Sequence, residues 1–139
     1  MKNPRRVLIV VGGLMCLTWG VMHVSPTMAV VKGFMNISED NRNIILMEWV
    51  NEGLTLAFIG ILVISVALAE RAPGRIARIV LGSAAVMLFC LAGVSLFTGF
   101  KISLLPFKLC PLIFALSGLL ILQGIFTKSV DARTLPRNH

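Results

Sequence analysis

Apolar residues gather into four long blocks, at residues 7–28, 44–69, 76–100 and 104–126, separated by short polar links. Each block reaches the roughly 20 residues that a helix needs to cross a hydrocarbon core. None alternates apolar and polar positions with period two, which excludes a transmembrane β-barrel. In lipid, where no water serves the backbone, each segment must satisfy its own hydrogen bonds, so four spanning helices are expected. The links at residues 32–43, 70–75 and 101–103 are short enough to force antiparallel neighbours. The expected fold is therefore all-α: one integral membrane domain over residues 1–139, a four-helix bundle running up-down-up-down.

Composition narrows the class. Of 139 residues, 57% are hydrophobic and 14% charged, with a mean hydropathy of +0.91. Soluble domains carry about 25% charged residues, and a fold this small could not clothe its surface with so few. A water-soluble domain, a disordered tail and a coiled coil are excluded. Charge then sets orientation. Lys2, Arg5, Arg6, Arg71, Arg75, Arg78, Lys128, Arg133 and Arg137 fall on one side of the expected bundle; Lys32, Arg42, Lys101 and Lys108 fall on the other. The positive-inside rule puts the richer side, with both termini and the 70–78 link, in the cytoplasm. The net charge of +7 follows from this arrangement and calls for no nucleic acid; its natural partner is the lipid bilayer with its anionic headgroups. Short loops and basic flanks fit a bacterial inner membrane, while a eukaryotic organelle stays open. Residues 2–29 also have the layout of a signal peptide ending at Thr27-Met28-Ala29. The apolar run from residue 7 to 24 exceeds the roughly 7–15 residues of a signal core, so an uncleaved helix is expected.

Polar residues inside a membrane are costly, which makes them the candidates for function. The second block carries Glu48, Asn51, Glu52 and Thr55 at i, i+3, i+4 and i+7, one stripe of a helix. Such a stripe must face protein or a water-filled cavity. Trp19 and His23 fall near the same outer end of the first helix, Thr98 near that end of the third, and Lys108 about one turn into the fourth. His23, Glu48, Asn51, Glu52 and Lys108 are thus expected to converge in one outward-facing polar cluster. Three roles are open to it. It could be structural, with Glu48 or Glu52 paired to Lys108 and tying the second span to the fourth. It could be a substrate or quinone-headgroup site in which His23 or a glutamate exchanges protons. It could hold a metal through His23, Glu48 and Glu52, although no dense ligand motif supports that.

The remaining features are mostly structural in expectation. Cys16 and Cys90 read as small buried hydrophobes, Cys110 lies next to Pro111, and the absence of Cys-x-x-Cys removes the usual disulfide-exchange pair. Pro106 and Pro111 should make the start of the last helix irregular and free backbone carbonyls toward the cluster. Asn36-Ile37-Ser38 matches the glycosylation pattern by chance in so short a loop. Trp19 and Trp49 suit an interfacial aromatic belt. Gly12, Gly13, Gly20, Gly53, Gly60, Gly82, Gly93, Gly118 and Gly124 offer close helix approach on all four spans.

Arg6, then Gly12-Gly13, then Trp19-Gly20-Val21-Met22-His23 with Pro26 resembles the first helix of the DoxX-like four-helix membrane proteins. The glutamate of Asn51-Glu52-Gly53 and the basic link at residues 71–78 are similarly placed. The likeness departs in the longer first link, residues 32–43, and in Leu105-Pro106-Phe107-Lys108-Leu109-Cys110-Pro111. The resemblance implies a small membrane subunit, connected in some members with quinone or sulfur redox chemistry.

Three functions follow as expectations. The first is a non-catalytic subunit or accessory protein, acting through helix packing, the polar cluster and contacts with other membrane subunits. The second is a quinone- or small-molecule-binding, redox-related protein using His23, Glu48 and Glu52. The third is a small proton-coupled transporter, which the nine-to-four charge bias disfavours because such proteins often insert in both orientations. No pattern amounts to a catalytic signature, so the chain is not expected to be an enzyme by itself, and no cofactor is assigned.

Overall fold

The computed structural model describes residues 3–34, 36–70, 72–99 and 105–127. Lys2, Arg71, Lys101, Lys128, Arg133, Arg137, the link at 101–103 and the side chain of Pro106 lie outside the described residues. The described chain is all-helical: α1 (Pro4–Val24), α2 (Thr27–Gly33), α3 (Glu39–Ala69), α4 (Arg75–Phe97) and α5 (Leu105–Phe126). All but α2 are long and apolar enough to cross a membrane.

Local chemistry explains the boundaries. Asn3 caps α1, accepting from the Arg5 N–H, and Pro4 occupies the first turn, where its missing N–H costs nothing. The helix ends at Val24 instead of continuing to residue 28, because Pro26 has no N–H to offer back along the helix. The chain then makes a short helix, α2, that hydrophobicity alone did not announce; it buries Val31 and packs against α3. Asn36 takes a left-handed φ of 64° in the following turn, a conformation asparagine tolerates. Ser38 caps α3 by accepting from the Asn41 N–H, with Glu39 and Asp40 in the first turn against the positive end of the helix dipole. These caps start α3 at Glu39 instead of residue 44. Its 31 residues span about 46 Å as a regular helix, against a hydrocarbon thickness of about 30 Å. At the far end, Glu70 leaves helical geometry and its carboxylate accepts from the Gly74 N–H at 2.6 Å, closing the tight connection into α4.

α1 is the central helix. It packs along α3 on one flank and α5 on the other, α5 in turn packs on α4, and α3 touches α4 little. The start of α1 meets the ends of its neighbours: the Arg5 guanidinium donates to the Thr127 carbonyl, and Arg6 to the Leu68 carbonyl at 3.0 Å. Glycine permits the contact. A Cβ on Gly20 would lie 2.6 Å from the Ala57 nitrogen, one on Gly60 2.6 Å from the Leu17 nitrogen, and one on Gly12 2.9 Å from the Ser117 oxygen. The backbones of α1, α3 and α5 are therefore as close as helices without side chains at the crossing allow. Cys16, Leu56, Val63 and Phe114 fill this seam without exposure, and the Cys16 thiol donates to the Leu56 carbonyl at 3.2 Å. The expectation for α4 fails: Gly82 and Gly93 face open space, and Cys90 is exposed on the outer surface. In lipid, an apolar outward face bears no penalty, so small residues there need no partner.

Candidate functional site

α3 and α4 are linked by the Glu70–Gly74 hydrogen bond and touch little along their lengths. The gap between them is a cavity of about 570 Å³, closed at the back by the first turns of α5. Its size falls in the range of small-molecule pockets. The stripe expected from sequence lines it in full: Glu48, Asn51, Glu52 and Thr55 all face it from α3, because their spacing holds them on one helical face. α4 contributes Ser95 and Thr98 toward the mouth and Met87 and Leu91 toward the closed end, while Phe107 and Cys110 come from α5. Polar side chains from α3 and the end of α4 thus share the wall with apolar ones at both ends, Ile44, Ile45 and Val94 among them.

His23 stands behind the α3 wall. The close approach of Gly20 to Gly53 brings the last turn of α1 against the first half of α3. There the imidazole is buried and stacks on Trp49, ring centroids 3.9 Å apart and planes inclined by 20°. The Trp49 indole N–H donates to the His23 carbonyl at 2.9 Å, satisfying one of the carbonyls that a helix C-terminus leaves without a partner. His23 Nε2 lies 3.5 Å from Glu52 Oε2, within ion-pair range but long for a hydrogen bond. The two side chains are exposed by 5% and 34% respectively, so Glu52 is the bridge between a shielded imidazole and the cavity.

Lys108 does not join this group. It is exposed, forms no ion pair with Glu48 or Glu52 among the described residues, and is not part of the cavity wall. The reason is angular: Phe107 and Cys110 use the face of α5 turned to the cavity, and Lys108 projects about 100° around the helix from Phe107. The expected tie between the second and fourth spans is therefore absent, and Phe114 and Ile121 of the apolar seam hold α5 instead. Nor do His23, Glu48 and Glu52 form a metal-binding group among the described residues.

Sequence reasoning missed the role of Trp49, while the carbonyl freed by a proline of the last helix was expected. Trp49 is a packing and hydrogen-bonding partner of His23, not only an interfacial ring, and it leans on Phe107 at 5.3 Å with planes at 54°. Its position one residue after Glu48 and three before Glu52 was the available signal. Pro111 lies inside α5, and its lack of an N–H leaves the Phe107 carbonyl without the i+4 donor. That carbonyl faces Gly99 on the cavity wall, where a Cβ would sit 3.6 Å away. Trp19 is half-buried, packed against the core and beside Cys110.

Comparison with protein-family models, curated proteins and solved structures finds no match to this chain. What the molecule offers toward a function is the geometry itself.

Proposed function

We propose that this chain is a multi-pass membrane protein that works without catalysis of its own, by holding an amphipathic small molecule in the cleft between α3 and α4. In this reading the four long helices run up-down-up-down, with both termini and the Glu70–Arg78 connection in the cytoplasm, as the excess of cations there favours. The cleft opens at the outer end, and a bacterial inner membrane is the proposed location. One observation carries the reading: a cavity of about 570 Å³ whose wall combines carboxylate, amide and hydroxyl groups with a larger apolar surface. Such a mixed wall suits a ligand with a polar head and an apolar body. A quinone of a DoxX-like redox assembly is one molecule of that shape.

The test is to purify the full chain into lipid nanodiscs and identify co-purifying small molecules by mass spectrometry. A Ser95→Trp variant, which fills the cleft from α4, should lose the bound species while keeping its helical content. Equal recovery from both would sink the proposal. A second reading, a subunit of a larger complex, has its own support: α4 has a single close neighbour, α5, and presents Ile76, Ile79, Val86 and Phe97 outward. Cross-linking from Cys90 on that face to another membrane protein in native membranes is its check.

A further inference from the structure

The cleft has a chemical bias beyond its shape. Its mouth is rich in groups that accept hydrogen bonds or carry negative charge. Glu48 is exposed there, and Glu52 sits one turn deeper with a third of its side chain open. The Phe107 carbonyl, released by Pro111, adds another acceptor at the Gly99 wall. Donors are scarcer. The Thr98 hydroxyl already donates to the Val94 carbonyl at 2.7 Å, and the Trp49 N–H is taken by His23. No lysine or arginine contributes to the described wall, and Lys108, the nearest in sequence on α5, projects elsewhere. Among the described residues, Glu52 has only the His23 imidazole within ion-pair distance and Glu48 has no cation. Phe107 and Trp49 meet in a tilted aromatic corner beside the two carboxylates. Aromatic faces attract cations and repel anions, and a carboxylate at an apolar boundary gains most from a positive partner.

Building on the cleft reading above, we propose that the ligand class is an organic cation with an apolar body, its charged centre held between Glu48 and Glu52 and its body against Phe107, Met87 and Leu91. The same wall disfavours an organic anion of equal size. A neutral ligand gains the apolar contacts but not the carboxylates, so the prediction separates charge from shape.

Three probes of similar bulk make the test: tetraphenylphosphonium, tetraphenylborate and neutral triphenylphosphine oxide. Each is measured by equilibrium dialysis against the full chain in nanodiscs, with empty nanodiscs subtracted. The phosphonium should bind saturably, the borate should not, and Ser95→Trp should abolish binding. The Glu48→Gln/Glu52→Gln variant should weaken the phosphonium by about tenfold and leave the phosphine oxide unchanged. If the double variant loses its helical fold, Glu48→Gln alone at the exposed mouth serves, with the same direction and a smaller change. Equal binding of phosphonium and borate, or a phosphonium affinity indifferent to the glutamates, overturns the cation assignment while the cleft itself stands. Failure of all three probes to bind above empty nanodiscs overturns the cleft reading and the assignment together.

Discussion

α3 has two sides, and they are built by different rules. On the side toward α1, glycines at 53 and 60 meet Gly20, Gly13 and Leu17 backbone to backbone, and the crossing leaves no room for a methyl group. On the side toward α4, carboxylates, an amide and a threonine line a cavity. The first side is dense because, in lipid, close packing is what holds helices together. The second is open because polar side chains there have no neighbouring helix to satisfy them and must meet either water or a ligand. A single helix can thus serve as a clamp on one face and a wall on the other. The lesson is that the polar stripe of α3 marks where its close packing stops.

The contrast can be broken most severely on the clamp side. Gly60→Leu would drive a side chain into the Leu17 and Gly13 backbones, and the expected loss is about 3 kcal/mol or more, since neither backbone can yield cheaply. The matched control is Gly93→Leu on α4, where an added Cβ meets nothing within 4 Å; it should cost less than about 0.5 kcal/mol. Denaturant titration of both variants in detergent decides it, and equal losses would mean that the seam is not what holds the bundle. A smaller effect is expected where the two sides of α3 communicate. Trp49→Phe keeps a ring for stacking on His23 but removes the N–H···O bond to its carbonyl, at a cost of about 1 kcal/mol. An unfolding midpoint indistinguishable from the parent would show that the bond adds nothing. The smallest effect belongs to Lys108→Gln. If Lys108 tied α5 to the α3 carboxylates, neutralising it would be costly; because it projects away, the change should stay within about 0.5 kcal/mol. A loss of several times that in the same titration would restore the tie.

The four long helices were legible in the sequence because hydropathy over twenty residues is a one-dimensional signal. So was the grouping of Glu48, Asn51, Glu52 and Thr55, which needs only the helical repeat. What escaped depends on how each helix is rotated about its axis and on which helices become neighbours. Lys108 shares a depth with Glu48 and Glu52 but not a direction. Gly82 and Gly93 look like Gly53 and Gly60 in sequence, yet α4 turns them outward. α2 and the early start of α3 follow from capping by Ser38 and from the break at Pro26, local effects that an apolar block boundary does not register.

The chain contains two tryptophans and no tyrosine, and the fold assigns one indole to each side of the contrast. Trp19 is half-buried where α1 meets Cys110 of α5, while Trp49 borders the α3 wall beside an imidazole. Ultraviolet emission from the protein is therefore a two-channel optical readout with no tyrosine background. One channel follows the integrity of the bundle, the other follows events at its open edge, and substituting either indole isolates the other.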